Sequence, residues 1–311
     1  MKVVVSLDDL RHERPLVIAI GAFDGVHRGH VYMLDQARAR ARELGFDIGI
    51  ITFDPAPALV LKPDLTDYQI TGRDTKIKLL EALDPDVLAV LPFTRAFAAL
   101  SAREFIDKLE AGLLLAEFWM GDDFRFGHDR EGGIPYLLER AARSEFAVHV
   151  VARQGAEAGA AGVSSSAVRA AIHDGAMAVA ADLLGRCFTL TAPVVHGFKR
   201  GRELGYPTAN LGLPSEQIVP AAGVYAAVAV LPGGERFASA VSVGMNPQFQ
   251  GQTTTVEAYI LDFDRDIYDE VITLEFVAHL RDQGVYPTLD GLLAQMAQDV
   301  EDARAAAALA L

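Results

Sequence analysis

The sequence predicts an α/β chain in two modules. Residues 1–185 read as a parallel sheet covered by helices, and residues 186–311 as an antiparallel β-barrel with a terminal helix. Three observations predict this. Through the first module, short apolar runs alternate with amphipathic stretches of helical spacing. Beyond residue 186 the runs become rich in β-branched and aromatic residues, separated by turns such as Pro232-Gly233-Gly234 with no helix between them. From Thr288 onward the helical spacing returns. A length of 311 residues is long for one core and comfortable for two.

In chain order, Leu16–Gly21 (LVIAIG) reads as a buried strand. Arg28–Leu44 then places Val31, Leu34, Ala37, Ala41 and Leu44 on one helical face, and Gly45 suits the stop. Ile48–Phe53 is a second strand, Asp74–Leu83 a helix and Val87–Phe93 a third strand. Ser101 with Glu104 makes a capping box ahead of another helix. Glu117–Met120 and Phe146–Val151 supply the fourth and fifth strands. The βαβα rhythm argues for a parallel sheet, in which ligands bind beyond the carboxyl ends of the strands. Gln154–Gly162 reads as a loop, Ser164-Ser165-Ser166 as a helix start, and a further short helix runs to Leu184 and ends at Gly185. The barrel strands are Phe188–His196, Gly223–Val230, Phe237–Val243, Thr255–Leu261 and Val271–Val277. In the tail, Leu289, Leu292, Leu293, Met296 and Val300 form the face expected to pack on the barrel.

Composition narrows the function classes. A net charge of −14 argues against a nucleic-acid partner, since an acidic surface repels a polyphosphate backbone. Small anions remain accessible to helix N-termini and a few basic side chains. The single Cys187 cannot form an internal disulfide and reads as a small packed hydrophobe. The N-terminus turns acidic at Asp8-Asp9, too early for a signal peptide, and no apolar run reaches about 18 residues. A cytoplasmic protein without membrane contact, monomeric or weakly homo-oligomeric, is the expectation.

Two segments carry chemistry. The first is Gly21-Ala22-Phe23-Asp24-Gly25-Val26-His27-Arg28-Gly29-His30, between a strand and a helix. Its glycines permit a tight turn and close backbone approach to a ligand. His27 and His30 stand three residues apart at the first helical turn, where free N–H groups and the helix dipole favour an anion. Such a site can hold the triphosphate of ATP and stabilise charge moving onto departing pyrophosphate. Two histidines alone would be bland. The full string resembles the signature of the nucleotidylyltransferase superfamily, a Rossmann-like fold, and in this form its FAD synthetase branch. The resemblance assigns Gly21, Phe23, Asp24, Gly25 and Gly29 to ATP, with His27 and His30 as catalytic groups. Thr52-Phe53-Asp54-Pro55 matches a turn of that family. Gly121-Asp122-Asp123-Phe124-Arg125-Phe126-Gly127 looks like its flavin-side loop, implying Asp123, Phe124 and Phe126 as flavin contacts. Ser164, Ser165, Ser166 and Arg169 resemble the helix start that closes over ATP phosphates. Two departures stand out. Ala56 occupies a position where the family usually carries histidine, and the run His128-Asp129-Arg130-Glu131-Gly132-Gly133 replaces a small basic one. With Ala56 read as facing the crevice, the expectation is ready FMN formation and slower FAD formation.

The second segment runs from Val195 to Asn210 as VHGFKRGRELGYPTAN. A Gly-rich loop with Lys and Arg can fold over phosphates, and a Thr hydroxyl with an Asn carbonyl suits Mg²⁺. The string closely resembles riboflavin kinase, whose fold is a six-stranded barrel. Gly223-Val224-Tyr225-Ala226, Ser242–Pro247, Val256–Asp262, Asp266-Ile267-Tyr268 and Phe276–Arg281 continue the match, with Gln248 a departure from the usual Thr. The resemblance implies Gly197, Lys199, Gly201, Gly205, Thr208 and Asn210 for ATP, Thr208 and Asn210 for Mg²⁺, and Glu257 as general base. Glu257 is read as pointing into the barrel, where an unused carboxylate would be costly. Together the two resemblances, from about Leu16 to Arg304, imply phosphorylation of riboflavin by ATP followed by adenylylation of FMN to FAD. A kinase with a weakened adenylyltransferase, or a flavin-binding regulator without turnover, stand as alternatives.

Overall fold

The computed structural model describes residues 2–152, 162–197, 201, 204–246, 253–308 and 310–311. The chain divides into two compact units: Met1–Leu65 with Thr71–Ser165, and Thr66–Ile70 with Ser166–Leu311.

The first unit is built on six strands: β1 (Lys2–Val4), β2 (His12–Ile20), β3 (Asp47–Asp54), β4 (Val87–Pro92), β5 (Leu113–Gly121) and β6 (Ala147–Val151). They lie in the order β1-β4-β3-β2-β5-β6, and every neighbouring pair is parallel. Both faces are covered. Leu16, Ile18 and Ile20 join one core cluster, while Val17 and Ala19 join the other beneath α1 (Arg28–Leu44). Burial on both faces is why β2 reads as a continuous apolar run rather than an alternating one. Gly45 caps α1 in the left-handed region, its N–H bonded to Ala41, as its position in the sequence suggests. The capping box of Ser101 and Glu104 opens α5 (Ala102–Gly112). Between these lie α2 (Pro57–Leu61), α3 (Arg73–Glu81), α4 (Arg95–Ala98) and, after β5, α6 (Ile134–Ala141). The chain leaves β2 toward β3 on one side and later returns to place β5 on the other. The carboxyl ends of β2 and β5 therefore frame the switch point where such sheets take ligands.

The second unit contains β7 (Phe188–Val195), β8 (Ala209–Leu211), β9 (Gly223–Val230), β10 (Arg236–Asn246), β11 (Thr253–Ile260) and β12 (Val271–Arg281). They close into a barrel in the order β10-β11-β8-β7-β12-β9, with all pairs antiparallel. The change of texture at residue 186 marks the onset of this barrel. Its unit also takes in α7 (Ser165–His173) from Ser166 onward, α8 (Met177–Leu184) and the distant segment Thr66–Ile70. Val168, Ile172, Met177, Ala180 and Ile70 share one core cluster with the barrel interior. Gln217 secures that segment, its side-chain amide donating to the carbonyls of Gln69 and Ile70.

The terminal helix α9 (Leu289–Ala307) is capped by the Thr288 side chain. Its buried face differs from the expected one. Leu289 is exposed and Leu292, Leu293, Met296 and Val300 are half-buried, while Asp299, Ala303 and Ala307 are buried. Small alanines let the helix axis approach closely, and Ala307 joins Val228, Ala238 and Leu261 in a satellite core. The buried carboxylate of Asp299 is compensated by a two-pronged bond from Arg281, at 2.7 and 2.6 Å.

Candidate active sites

The loop after β2 folds onto its own chain. Phe23, Gly25 and Val26 all have positive φ (47°, 84° and 38°), a twisted path that only Gly25 adopts without strain. The strain is held by bonds converging on Asp24. Its Oδ1 accepts the Thr71 N–H at 3.2 Å, its carbonyl accepts the Ser165 hydroxyl at 2.9 Å, and the neighbouring Gly25 N–H donates to the Thr71 hydroxyl at 3.1 Å. The Phe23 ring is buried in the core under α1, so this residue offers the site its backbone. Gly21 makes room for that ring, which a Cβ would meet at 3.2 Å.

His27 is the N-cap of α1, and its Nδ1 accepts the His30 N–H at 3.2 Å. The two imidazoles stack with centroids 3.6 Å apart. A Cβ on Gly29 would meet the His27 ring at 3.2 Å, so glycine is what allows the stack to sit against the helix start. Burial, and secondarily His27, push the His30 imidazole well below its ordinary pKa. His30 is therefore neutral at pH 7 and acts as a dipole rather than a cation. Its Nδ1 is buried without a hydrogen-bond partner among the described residues.

Around this loop, Lys76 lies buried in α3 with its ammonium donating to the Phe53 carbonyl. Burial lowers its pKa, opposed by the carboxylates of Asp54 and Asp24. The sequence signal was a lysine four residues before Leu80 on the buried stripe of the helix. Arg73 pairs with Asp54 at 3.3 Å. Ala56 does not open into a crevice: it is 4% exposed at the N-cap of α2. Beyond β5, the Phe124 and Phe126 rings stack on each other at 5.5 Å, and both pack on the core beneath. Asp123 is exposed beside them. Gly132 is held against the Phe126 ring by a pair of backbone bonds. Ser164 and Ser165 belong to the first unit; Ser166 and Arg169 group with the second, where the Arg169 guanidinium lies 3.7 Å over the Tyr68 ring.

In the barrel unit three anticipated residues come together. Asn210 of β8 is the register partner of Glu257 of β11, and the Thr208 hydroxyl donates to Glu257 Oε2 at 3.2 Å. The expectation that Glu257 points into the barrel is corrected. Val256, Ala258 and Ile260 fill the interior, so strand alternation turns Glu257 outward, half-buried at the barrel wall. Gly197 lies against the Asn210 amide, where any Cβ would collide. Gly201 accepts turn bonds from Leu204 and Tyr206 through its carbonyl, and Gly205 holds a φ of 84° in the same turn. Lys199 lies outside the described residues. Thr208 also borders a cavity of about 380 Å³ lined by Val194, Pro207, Ala258, Ile260, Phe263 and Tyr268, among others. The Thr208 hydroxyl with the amide and carboxylate oxygens of the adjoining strands forms a hard donor set, which suits Mg²⁺ in kind.

Comparison with known proteins agrees with this division of labour. A family model for FAD synthetase matches residues 9–167, and one for riboflavin kinase matches residues 184–307. Bifunctional riboflavin kinase/FMN adenylyltransferases are 35% identical in Escherichia coli, over 98% of this chain and 97% of the relative, and 36% identical in Pseudomonas fluorescens, over 99% and 98%. The chain belongs to this bifunctional family. A crystal structure from Streptococcus pneumoniae, described as a macrolide-efflux protein, superposes with a TM-score of 0.85 at 30% identity, over 97% of this chain and 98% of that one. Efflux is said of that protein alone; among the described residues here, no helix is long and apolar enough to cross a membrane.

Proposed function

We propose that the barrel unit phosphorylates riboflavin with ATP and that the sheet unit adenylylates the resulting FMN to FAD, releasing pyrophosphate. The observation that carries the reading is the meeting of Thr208, just before β8, with Asn210 of β8 and Glu257 of β11 beside a cavity of about 380 Å³. In the first reaction the riboflavin 5′-hydroxyl attacks the γ-phosphorus of ATP. Glu257 accepts the hydroxyl proton, and the bond to the β–γ bridging oxygen breaks to leave ADP. Mg²⁺, bound with the nucleotide, supplies charge neutralisation for the phosphates. Thr208 and Asn210 are the residues that would hold it, and the cavity beside Thr208 takes the nucleoside. Gly197, Gly201 and Gly205 serve the phosphates, and Lys199 is assigned to them by the resemblance alone.

In the second reaction a phosphate oxygen of FMN attacks the α-phosphorus of the second ATP. The loop carrying Gly21, Phe23, Asp24, Gly25 and Gly29, with the start of α1, receives the triphosphate. His27 and His30 donate N–H bonds to the departing pyrophosphate. Ser164 and Ser165 close over the phosphates, and Asp123, Phe124 and Phe126 meet the flavin. The substrates are small soluble metabolites, which fits a cytoplasmic enzyme, monomeric or weakly homo-oligomeric, with no nucleic-acid partner.

The test is incubation with riboflavin, ATP and Mg²⁺ followed by chromatographic separation of riboflavin, FMN and FAD. Glu257→Gln should abolish FMN formation while leaving FAD formation from supplied FMN. His27→Ala with His30→Ala should do the reverse. Parental FMN production by Glu257→Gln would remove that carboxylate from the mechanism.

A further inference from the structure

The sheet ladder opens where the chain leaves β2. The Gly21 N–H still donates to the Ile51 carbonyl of β3 at 3.1 Å, and the loop then turns away through Ala22 and Phe23. Carbonyls two residues apart along a strand point to the same side, so the Phe53 carbonyl faces the place that β2 has vacated. The next carbonyl, Asp54, turns to the other side and accepts the Phe93 N–H at 3.1 Å. The Phe53 carbonyl is taken instead by the Lys76 ammonium from α3.

Lys76 is 2% exposed, and the Phe53 carbonyl is the one hydrogen-bond acceptor of its ammonium among the described residues. An ammonium carries three N–H donors, so a single neutral acceptor is poor return for burying a charge. The reason for the charge lies in the groups that face it, Asp54, Asp24 and Arg73. Burial lowers the Lys76 pKa, and the carboxylates of Asp54 and Asp24 oppose that. Arg73 pairs with Asp54 at 3.3 Å, but it is half in solvent and also reaches Asp74 at 3.5 Å. Asp24 is 5% exposed, with its Oδ1 held by the Thr71 N–H. Two carboxylates thus stand at the foot of the loop read as the triphosphate site. His30, kept neutral by burial, brings no positive charge to offset them.

We propose that Lys76 is a positioning residue for FMN adenylylation: its buried ammonium, fixed on the Phe53 carbonyl, offsets Asp24 and Asp54 so that the triphosphate of ATP does not meet two uncompensated negative charges. This rests on the reading of the loop after β2 as the triphosphate site. A Lys76 that only fastened α3 to the end of β3 would matter for its bond and not for its charge.

The experiment measures kcat and KM for ATP in FAD formation from supplied FMN, in the full chain, with thermal melting to check folding. Lys76→Met keeps an apolar stem and removes the ammonium. It is expected to raise KM for ATP about tenfold, the scale of one uncompensated charge near an anion in a partly buried site. Adding Asp54→Asn, which removes one of the two carboxylates, should recover most of that loss even though the bond to Phe53 stays broken. Asp54→Asn alone, in a chain that keeps Lys76, should leave KM for ATP at or below the parental value. Parental KM in Lys76→Met, or a double variant no better than Lys76→Met, would overturn the proposal. So would a KM in Asp54→Asn raised more than about threefold, a result that stands whether or not Lys76→Met folds. His27→Ala with His30→Ala separates the two levels. If that variant keeps the parental kcat and KM for ATP, the reading of the loop fails. If it is impaired while Lys76→Met keeps the parental KM, only the role of Lys76 falls.

Discussion

Gly197→Ala probes the kinase site through packing at a glycine of the phosphate loop. A Cβ at this position falls onto the Asn210 amide, so either Asn210 or the start of the loop has to move. Asn210 is fixed on both sides, paired with Val195 of β7 and with Glu257 of β11. The collision therefore displaces the amide from its place beside Glu257 and Thr208. Overpacking of this kind costs about 1–3 kcal/mol, which corresponds to about 5- to 150-fold in rate if expressed wholly in the transition state. The assay is the initial rate of FMN formation over a range of Mg²⁺–ATP concentrations at saturating riboflavin. FAD formation from supplied FMN serves as the internal comparison and should be unchanged. Gly234→Ala is the contrasting control, because Gly234 has a positive φ of 83° and a Cβ there meets nothing within 4 Å, so it tests backbone strain without a collision. Parental kcat/KM for ATP in Gly197→Ala would refute the argument that a fixed Asn210 is required.

Two further outcomes are expected. Ala56→His places an imidazole where alanine is 4% exposed, so it should slow FMN-to-FAD conversion or lower the melting temperature, and faster conversion would show that the position has room after all. His30 carries a pKa depressed by burial, so the unfolded chain, near the ordinary 6.5, binds more protons than the folded one. Its contribution to stability is complete above that value and declines as pH falls toward the folded pKa, by at most about 1.4 kcal/mol per pH unit. Denaturant midpoints of the first unit measured from pH 7 downward should show this slope, and His30→Asn should flatten it.

The elements legible in the sequence were those with strong local punctuation. The helix from Arg28 to Leu44, stopped by Gly45, and the capping box at Ser101 depend on neighbouring residues alone. The meeting of Thr208 and Glu257 was legible as a resemblance, but the direction of Glu257 was not. A half-buried strand shows which residues alternate, and the closure of the barrel decides which set lies inside. Strand β8 was missed because three residues after a proline carry no periodicity, and its existence depends on its partners β7 and β11. The buried face of α9 was misjudged for a related reason. The largest apolar residues mark the greatest hydrophobic gain, yet close packing selected Ala303 and Ala307, with Asp299 accommodated by an arginine from β12. The membership of Thr66–Ile70 in the second unit has no local signature at all.

That last feature bears on how such a chain can be divided or recombined. Ile70, Val168, Ile172 and Met177 complete the apolar core of the unit that holds the barrel, yet all precede residue 186. A fragment beginning at residue 186 leaves those side chains behind and exposes the surface they cover. Genetic exchange of the second half by a single crossover at that point would set a new barrel against an Ile70 and a Gln69 selected for the old one. Exchange that preserves the core requires two matched pieces, one of them only five residues long and more than a hundred residues upstream of the barrel. The two halves of the chain are thus inherited together through a stretch of five residues.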